Sequence, residues 1–224
     1  MTDQRDVRIR DRSIAKYQKH AAGYDQTCGP TWPIRMRAID ALDLQPGDHV
    51  MDVGCGTGLS LPLLVQAVGP SGKVSGFDQS PDMLAQAKAR CAQADWPNVH
   101  LALSSAQEFS LPGRVDALLF HYAHDILRSP SAIDRLLSLA RPGARVAIAG
   151  IKYFPGLLCL LNPWVYLKNH GYNGAPGELR APWDLIAPRL TDWRLTPTQW
   201  GMGYIASGRL PSVACRGSTA GTAR

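Results

Sequence analysis

Residues 50–58 read Val50-Met51-Asp52-Val53-Gly54-Cys55-Gly56-Thr57-Gly58, an apolar run that passes into a glycine-rich bend. Glycines there permit a tight turn and close approach of a ligand to the backbone, and a helix opening just after the bend presents unpaired N–H groups. Such a bend suits a negatively charged or carboxylate-bearing ligand. Its spacing is G-x-G-x-G, not the G-x-G-x-x-G of a dinucleotide loop. Asp52 lies just inside it, where it would repel phosphate and could face an amino group. Twenty residues beyond Gly58, Asp78 ends the next apolar run, a place from which a carboxylate can accept hydrogen bonds from both hydroxyls of a ribose.

Outward from the bend the chain alternates between short β-like and longer helical patterns. His49–Val53 reads as a strand, the stretch near Leu59–Val68 as a helix, and Gly69-Pro70-Ser71-Gly72 as its stop. Lys73–Phe77, Val99–Leu103, Val115–Phe120 and Ala144–Ile151 read as further strands. A helix from Ser80 to about Ala94 separates the first two of these, and one near Ala132–Ala140, ended by Arg141-Pro142-Gly143, precedes the last. Ser80-Pro81-Asp82 makes a good helix entry, with a capping hydroxyl, proline in the first turn and an acid where the helix dipole favours one. This alternation predicts a largely parallel, doubly wound α/β sheet over residues 46–151. Ile14, Tyr17, Ala21 and Tyr24, then Ile34, Ala38, Ile39 and Leu42, predict two helices within an N-terminal arm or lid, residues 1–45. Residues 152–190 read as a cap insertion, 191–210 as a closing antiparallel hairpin turning at Trp200-Gly201, and 211–224 as a frayed tail.

The 224 residues, 45% hydrophobic and 19% charged, suit one ordinary globular core. The formal charge of +6 invites a nucleic-acid reading, yet residues 1–20 alone hold six bases against three acids, the pattern of a solvated arm. Five cysteines without a C-x-x-C pair support neither a disulfide framework nor a zinc site, so no metal is expected and a reducing cytoplasm is the expected location. No apolar stretch follows the charged N-terminus as in a secretory signal. The apolar stretch Tyr153–Leu167 has 15 residues, including Pro155 and Pro163, short of the ~20 that span a bilayer.

Taken together, several segments resemble the class I S-adenosylmethionine-dependent methyltransferases. They are Tyr24-Asp25, the 50–58 stretch, Gly76-Phe77-Asp78-Gln79-Ser80-Pro81-Asp82-Met83-Leu84, Val115-Asp116-Ala117-Leu118-Leu119-Phe120 and Arg141-Pro142-Gly143-Ala144-Arg145-Val146. They occur in the family's order over more than half the chain, and the nearest look is to small methyltransferases acting on quinones, lipids and natural products. The resemblance implies a Rossmann-like, mostly parallel seven-stranded sheet and S-adenosyl-L-methionine as cofactor. It implies backbone contacts from Gly54, Cys55 and Gly56, a ribose held by Asp78, and an adenine bordered by Gln79 and Met83. Ser104-Ser105-Ala106 stands where the family often has Gly-Asp-Ala. Ser105 then takes the adenine amino group, less strongly than a carboxylate would, with Ala106 beside it.

A methyl on a sulfonium is already activated, so transfer needs an in-line nucleophile and exclusion of water. Aromatic faces suit the cation, which makes Tyr17, Tyr24 and Phe120 candidates for lining the transfer zone. His121, first beyond the fourth strand, is the general-base candidate, although the same ring could stack on the cofactor or bind backbone. His124-Asp125 reads as the start of the next helix. No Asn/Asp-Pro-Pro-Tyr/Phe signature follows that strand, which argues against an exocyclic-amine methylase of nucleic acid. Leu157, Leu158, Leu160, Leu161 and Trp164 are expected to bury ~1.5–3 kcal/mol each against the sheet, a ligand or a second copy in a homodimer. The expected function is methyl transfer to an O, N or C nucleophile of a small, lipophilic molecule. An RNA methyltransferase and a non-catalytic cofactor-binding partner are the rival readings.

Overall fold

The computed structural model describes residue 25 and residues 29–154, 156–169 and 179–212. Helix α1 (Trp32–Asp40) precedes β1 (His49–Val53), α2 (Leu61–Val68), β2 (Lys73–Asp78), α3 (Pro81–Ala94) and β3 (Val99–Leu103). Then come β4 (Val115–His121), the single turn α4 (His124–Leu127), α5 (Pro130–Ser138) and β5 (Ala140–Ile151). A 3-10 turn (Gly156–Leu161) leads into α6 (Asn162–Asn169), and β6 (Thr191–Thr198) and β7 (Gly203–Arg209) close the sheet. The first expected helix, Ile14–Tyr24, lies outside the described residues, as do residues 170–178 and most of the tail.

The seven strands lie in the order β3-β2-β1-β4-β5-β7-β6. Pairings from β3 across to β5 are parallel, while β7 runs antiparallel to both β5 and β6. The expected mostly parallel, doubly wound architecture is the one observed. Period-two alternation sorts the strands' side chains onto two faces. Met51, Leu118 and Ile148 join the core beneath α5, whereas their neighbours Val50, Leu119 and Ala147 pack with α1, α2 and α3. Ser80 caps α3 by accepting from the Met83 N–H at 3.5 Å, and Ser129 caps α5 by accepting from the Ala132 N–H at 3.3 Å.

Two boundaries differ from expectation. Arg141-Pro142-Gly143, read as a stop, lies inside β5 as an irregularity, with the β4–β5 register jumping from Val115↔Ala140 to Ala117↔Arg145. A bulge absorbs the extra residues that a turn would otherwise have used. The leucines after β5 are not buried: Leu157, Leu158, Leu160, Leu161 and Trp164 are all exposed. The chain leaves the sheet's end there, and among the described residues of this segment Phe154 and Val165 are the buried ones. Among the described residues no helix is long and apolar enough to cross a membrane.

Register fixes what meets at the carboxyl end of the sheet. Val53 is level with Phe77 on one side and Phe120 on the other. The next positions, Gly54, Asp78 and His121, therefore converge where the strand order reverses, the usual crevice of an open α/β sheet.

Candidate functional site

The bend is locked by its own backbone. The Cys55 N–H donates to the Phe77 carbonyl at 2.9 Å and the Gly58 N–H to the Cys55 carbonyl at 2.9 Å. Gly58 has φ +79°, and a Cβ there would stand 2.7 Å from Leu61 Cδ1 and 3.1 Å from Ala87 Cβ. Only glycine lets α2 and α3 close over the turn this tightly. Thr57 donates its hydroxyl to Asp25 at 2.6 Å, and Arg90 donates to the other Asp25 oxygen at 2.7 Å. That pair ties Asp25, the residue after Tyr24, to the bend.

Inside the bend lies a cleft lined by Arg35, Asp52, Cys55, Ser60 and His121, with Gly54 and Gly56 supplying backbone. Asp52 is 2% exposed and its Oδ2 has no hydrogen-bond partner. Burial pushes its carboxyl up to about 7; Arg35 opposes the rise and Asp78 adds to it. Arg35, 6% exposed, reaches in from α1 and donates to the Ser60 hydroxyl. A buried carboxylate with a free oxygen beside a buried guanidinium can take a zwitterion, its ammonium on Asp52 and its carboxylate on Arg35.

Asp78 sits at the next strand end. Its carboxylate accepts from the Gly56 N–H at 2.9 Å and the Ser80 N–H at 2.8 Å. Burial raises its pKa, and those two N–H groups pull it back. Cys55 is buried, which pushes its thiol well up and keeps it neutral. The Nε2 of His121 is buried without a partner and lines the same cleft. Burial first, then the nearby Arg35 and His124, hold His121 well below the usual imidazole range, so the ring is neutral.

The remaining expected site residues separate. Met83 is buried, its methyl 4.0 Å from where a Gly56 Cβ would lie, so it borders the bend. Gln79 follows Asp78 at the head of α3. Ser105 donates to the Glu108 carboxylate at 2.8 Å, while Ala106 packs in the core with Phe109. Phe120 is wholly buried in that same core and is not part of the cleft lining. Tyr17 and Tyr24 lie outside the described residues. His124 opens α4, as expected; burial lowers it to about 4, and its Nε2 accepts from the Ile151 N–H at 3.4 Å.

Arg35, Ser60 and Glu108 were not among the expected residues. One sequence signal could have found Arg35: it occupies the apolar stripe that continues through Ala38, Ile39 and Leu42, where a charge requires a buried partner. Among the described residues no group of three or more His, Cys, Asp or Glu could hold a metal ion.

A family model described as a methyltransferase domain matches residues 44–170. The 2-phytyl-1,4-naphtoquinone methyltransferase of Trichormus variabilis is 33% identical over 50% of this chain and 50% of its own. The nocamycin O-methyltransferase of Saccharothrix syringae is 29% identical over 53% of this chain and 43% of its own. The chain thus spans half or less of these relatives' length. The N-methyltransferase NodS from Bradyrhizobium japonicum WM9, in complex with S-adenosyl-l-homocysteine, superposes with a TM-score of 0.66 at 15% identity. That match covers 89% of this chain and 99% of NodS, a likeness of fold.

Proposed function

Because the chain belongs to the methyltransferase-domain family and has the fold of the class I S-adenosylmethionine-dependent methyltransferases, we propose that it methylates an O, N or C nucleophile of a small, lipophilic molecule. When bound, S-adenosyl-L-methionine supplies a methyl group activated by its sulfonium. The observation that carries the reading is the orphaned Asp52 carboxylate facing buried Arg35 inside the glycine bend. A free amino acid end fits this pair of opposite charges, whereas a pyrophosphate would meet the acid.

In this reading Asp52 and Arg35 hold the ammonium and carboxylate, with Gly54, Cys55 and Gly56 contributing backbone. Asp78 exchanges its contacts with Gly56 and Ser80 for the ribose hydroxyls. Gln79 and Met83 border the adenine, and Ser105 with Glu108 offers acceptors for its amino group. Tyr24, which precedes Asp25 in the sequence, is assigned to the cofactor as well. Phe120 acts from below, as the packed floor of the bend. His121 receives the nucleophile's proton or orients it through a hydrogen bond, since a neutral ring with an unpartnered Nε2 can accept. Relatives named as 2-phytyl-1,4-naphtoquinone, nocamycin and aklanonic acid methyltransferases support a small acceptor.

The test is incubation with methyl-labelled cofactor and fractionated cell extract. Label in a small organic-soluble product supports the proposal. Label in RNA would assign the chain to nucleic acid, and cofactor binding without transfer to any fraction would make it a binding protein.

A further inference from the structure

Two separate elements leave large apolar side chains in water at the sheet's carboxyl end. The segment after β5 exposes Leu157 at 93% and Leu160 at 83%, with Trp164 and Leu167 beside them. The β6–β7 turn exposes Trp200 at 92%. The stretches that carry them start from the same end of the sheet, where the Lys152 N–H donates to the Met202 carbonyl at 2.6 Å. Gln199 and Trp200 also adopt φ of +49° and +60°, a left-handed conformation that disfavours bulky residues. The turn thus holds an exposed tryptophan on a strained backbone.

We propose that this rim seats the protein peripherally on a bilayer containing anionic lipid. Leucine with tryptophan is the composition that enters the headgroup and acyl boundary. A bilayer accepts protruding side chains without a shaped pocket, unlike a folded protein partner. Charge points the same way: there is no Asp or Glu between Asp134 and Glu178, while Lys152 and Lys168 bracket the exposed leucines in sequence. These lysines would attract an anionic surface, and that attraction would be screened by salt. With no spanning helix among the described residues, the attachment is to one leaflet. It does not depend on methyl transfer, and it would place the open end of the sheet against the phase that dissolves lipophilic acceptors.

The experiment is flotation of the full chain with vesicles of phosphatidylcholine, alone or mixed with phosphatidylglycerol, read together with tryptophan emission. The full chain should float with the mixed vesicles, shift its emission to the blue and be released by salt. Leu157→Ser with Leu160→Ser, and separately Trp200→Ser, should each lower the partition coefficient about tenfold or more. Neither should change the affinity for S-adenosylhomocysteine, which controls for folding and is read without catalysis. Failure to float with either vesicle, or flotation that ignores both variants, would overturn the proposal. So would variants whose effect is to dissolve a dimer or abolish binding to RNA. Failure of the methylation reading would leave the vesicle result intact.

Discussion

The glycine bend and the segment after β5 leave the carboxyl ends of strands in one sheet, yet they satisfy opposite demands. In the bend, backbone bonds to Phe77 and Cys55, the close approach of Leu61 and Ala87, and the Asp25–Arg90 pair fix each part against another. The unsatisfied atoms there, Asp52 Oδ2 and His121 Nε2, stand out because their surroundings are complete. After β5 the reverse holds, with a 3-10 turn whose large side chains are left facing water. A site preorganised for a small polar ligand shows itself through a few orphaned buried atoms; a surface that needs a partner shows itself through exposed apolar area.

The largest expected effect falls on the bend. Asp78→Ala should weaken S-adenosylhomocysteine binding about a hundredfold or more, measured by calorimetry, because it removes a charged acceptor aimed at the crevice. A glycine pair sharpens the contrast between the regions. Gly58→Ala should cost about 2–3 kcal/mol in urea unfolding, from positive φ and a 2.7 Å clash with Leu61. Gly156→Ala, at φ +57° with nothing within 4 Å, should cost about 1 kcal/mol, its backbone strain alone. Equal costs would erase the distinction.

His121→Ala should lower kcat about tenfold while changing cofactor affinity much less, since a proton acceptor acts on the nucleophile. Unchanged turnover would remove it from the chemistry. The smallest effects are in pH. Asp52 is raised from 3.8 to about 7 by burial, so its folded form holds a proton that its unfolded form releases. Its contribution is present below pH 4 and lost as pH rises through 7. His124, lowered from 6.5 to about 4, contributes above 6.5 and loses that as pH falls through 4. Thermal melts of Asp52→Asn and His124→Gln against pH should therefore diverge from the parent by a few degrees in opposite senses.

Much of this architecture is legible in the sequence because it is written in local chemistry. Ser80-Pro81-Asp82 specifies a helix start by itself, and the glycine bend with Asp78 marks the crevice before any packing is known. The closing hairpin is foretold by the two β-like stretches that Trp200-Gly201 separates. What escapes depends on tertiary neighbours. Arg35 stands out in the sequence only by interrupting the apolar stripe of α1, and its partner stays hidden until α1 is laid on the sheet and both Arg35 and Asp52 line one cleft. Arg141-Pro142-Gly143 has turn chemistry, and only pairing with β4 makes it a bulge. Ser105 and Glu108 meet once the loop after β3 has its shape. Leu157–Leu167 is apolar enough to be core, but hydrophobicity states a need for cover without saying what supplies it.

The central claim is that the bend reads both charges of an amino acid end. It is tested by titrating the protein in a calorimeter with S-adenosylhomocysteine and with 5′-methylthioadenosine, which keeps the nucleoside and lacks that end. One site per chain is expected, with about a hundredfold preference for the former and loss of most of that preference in Arg35→Met. Equal affinity for the two ligands, or a preference that survives the substitution, would contradict it.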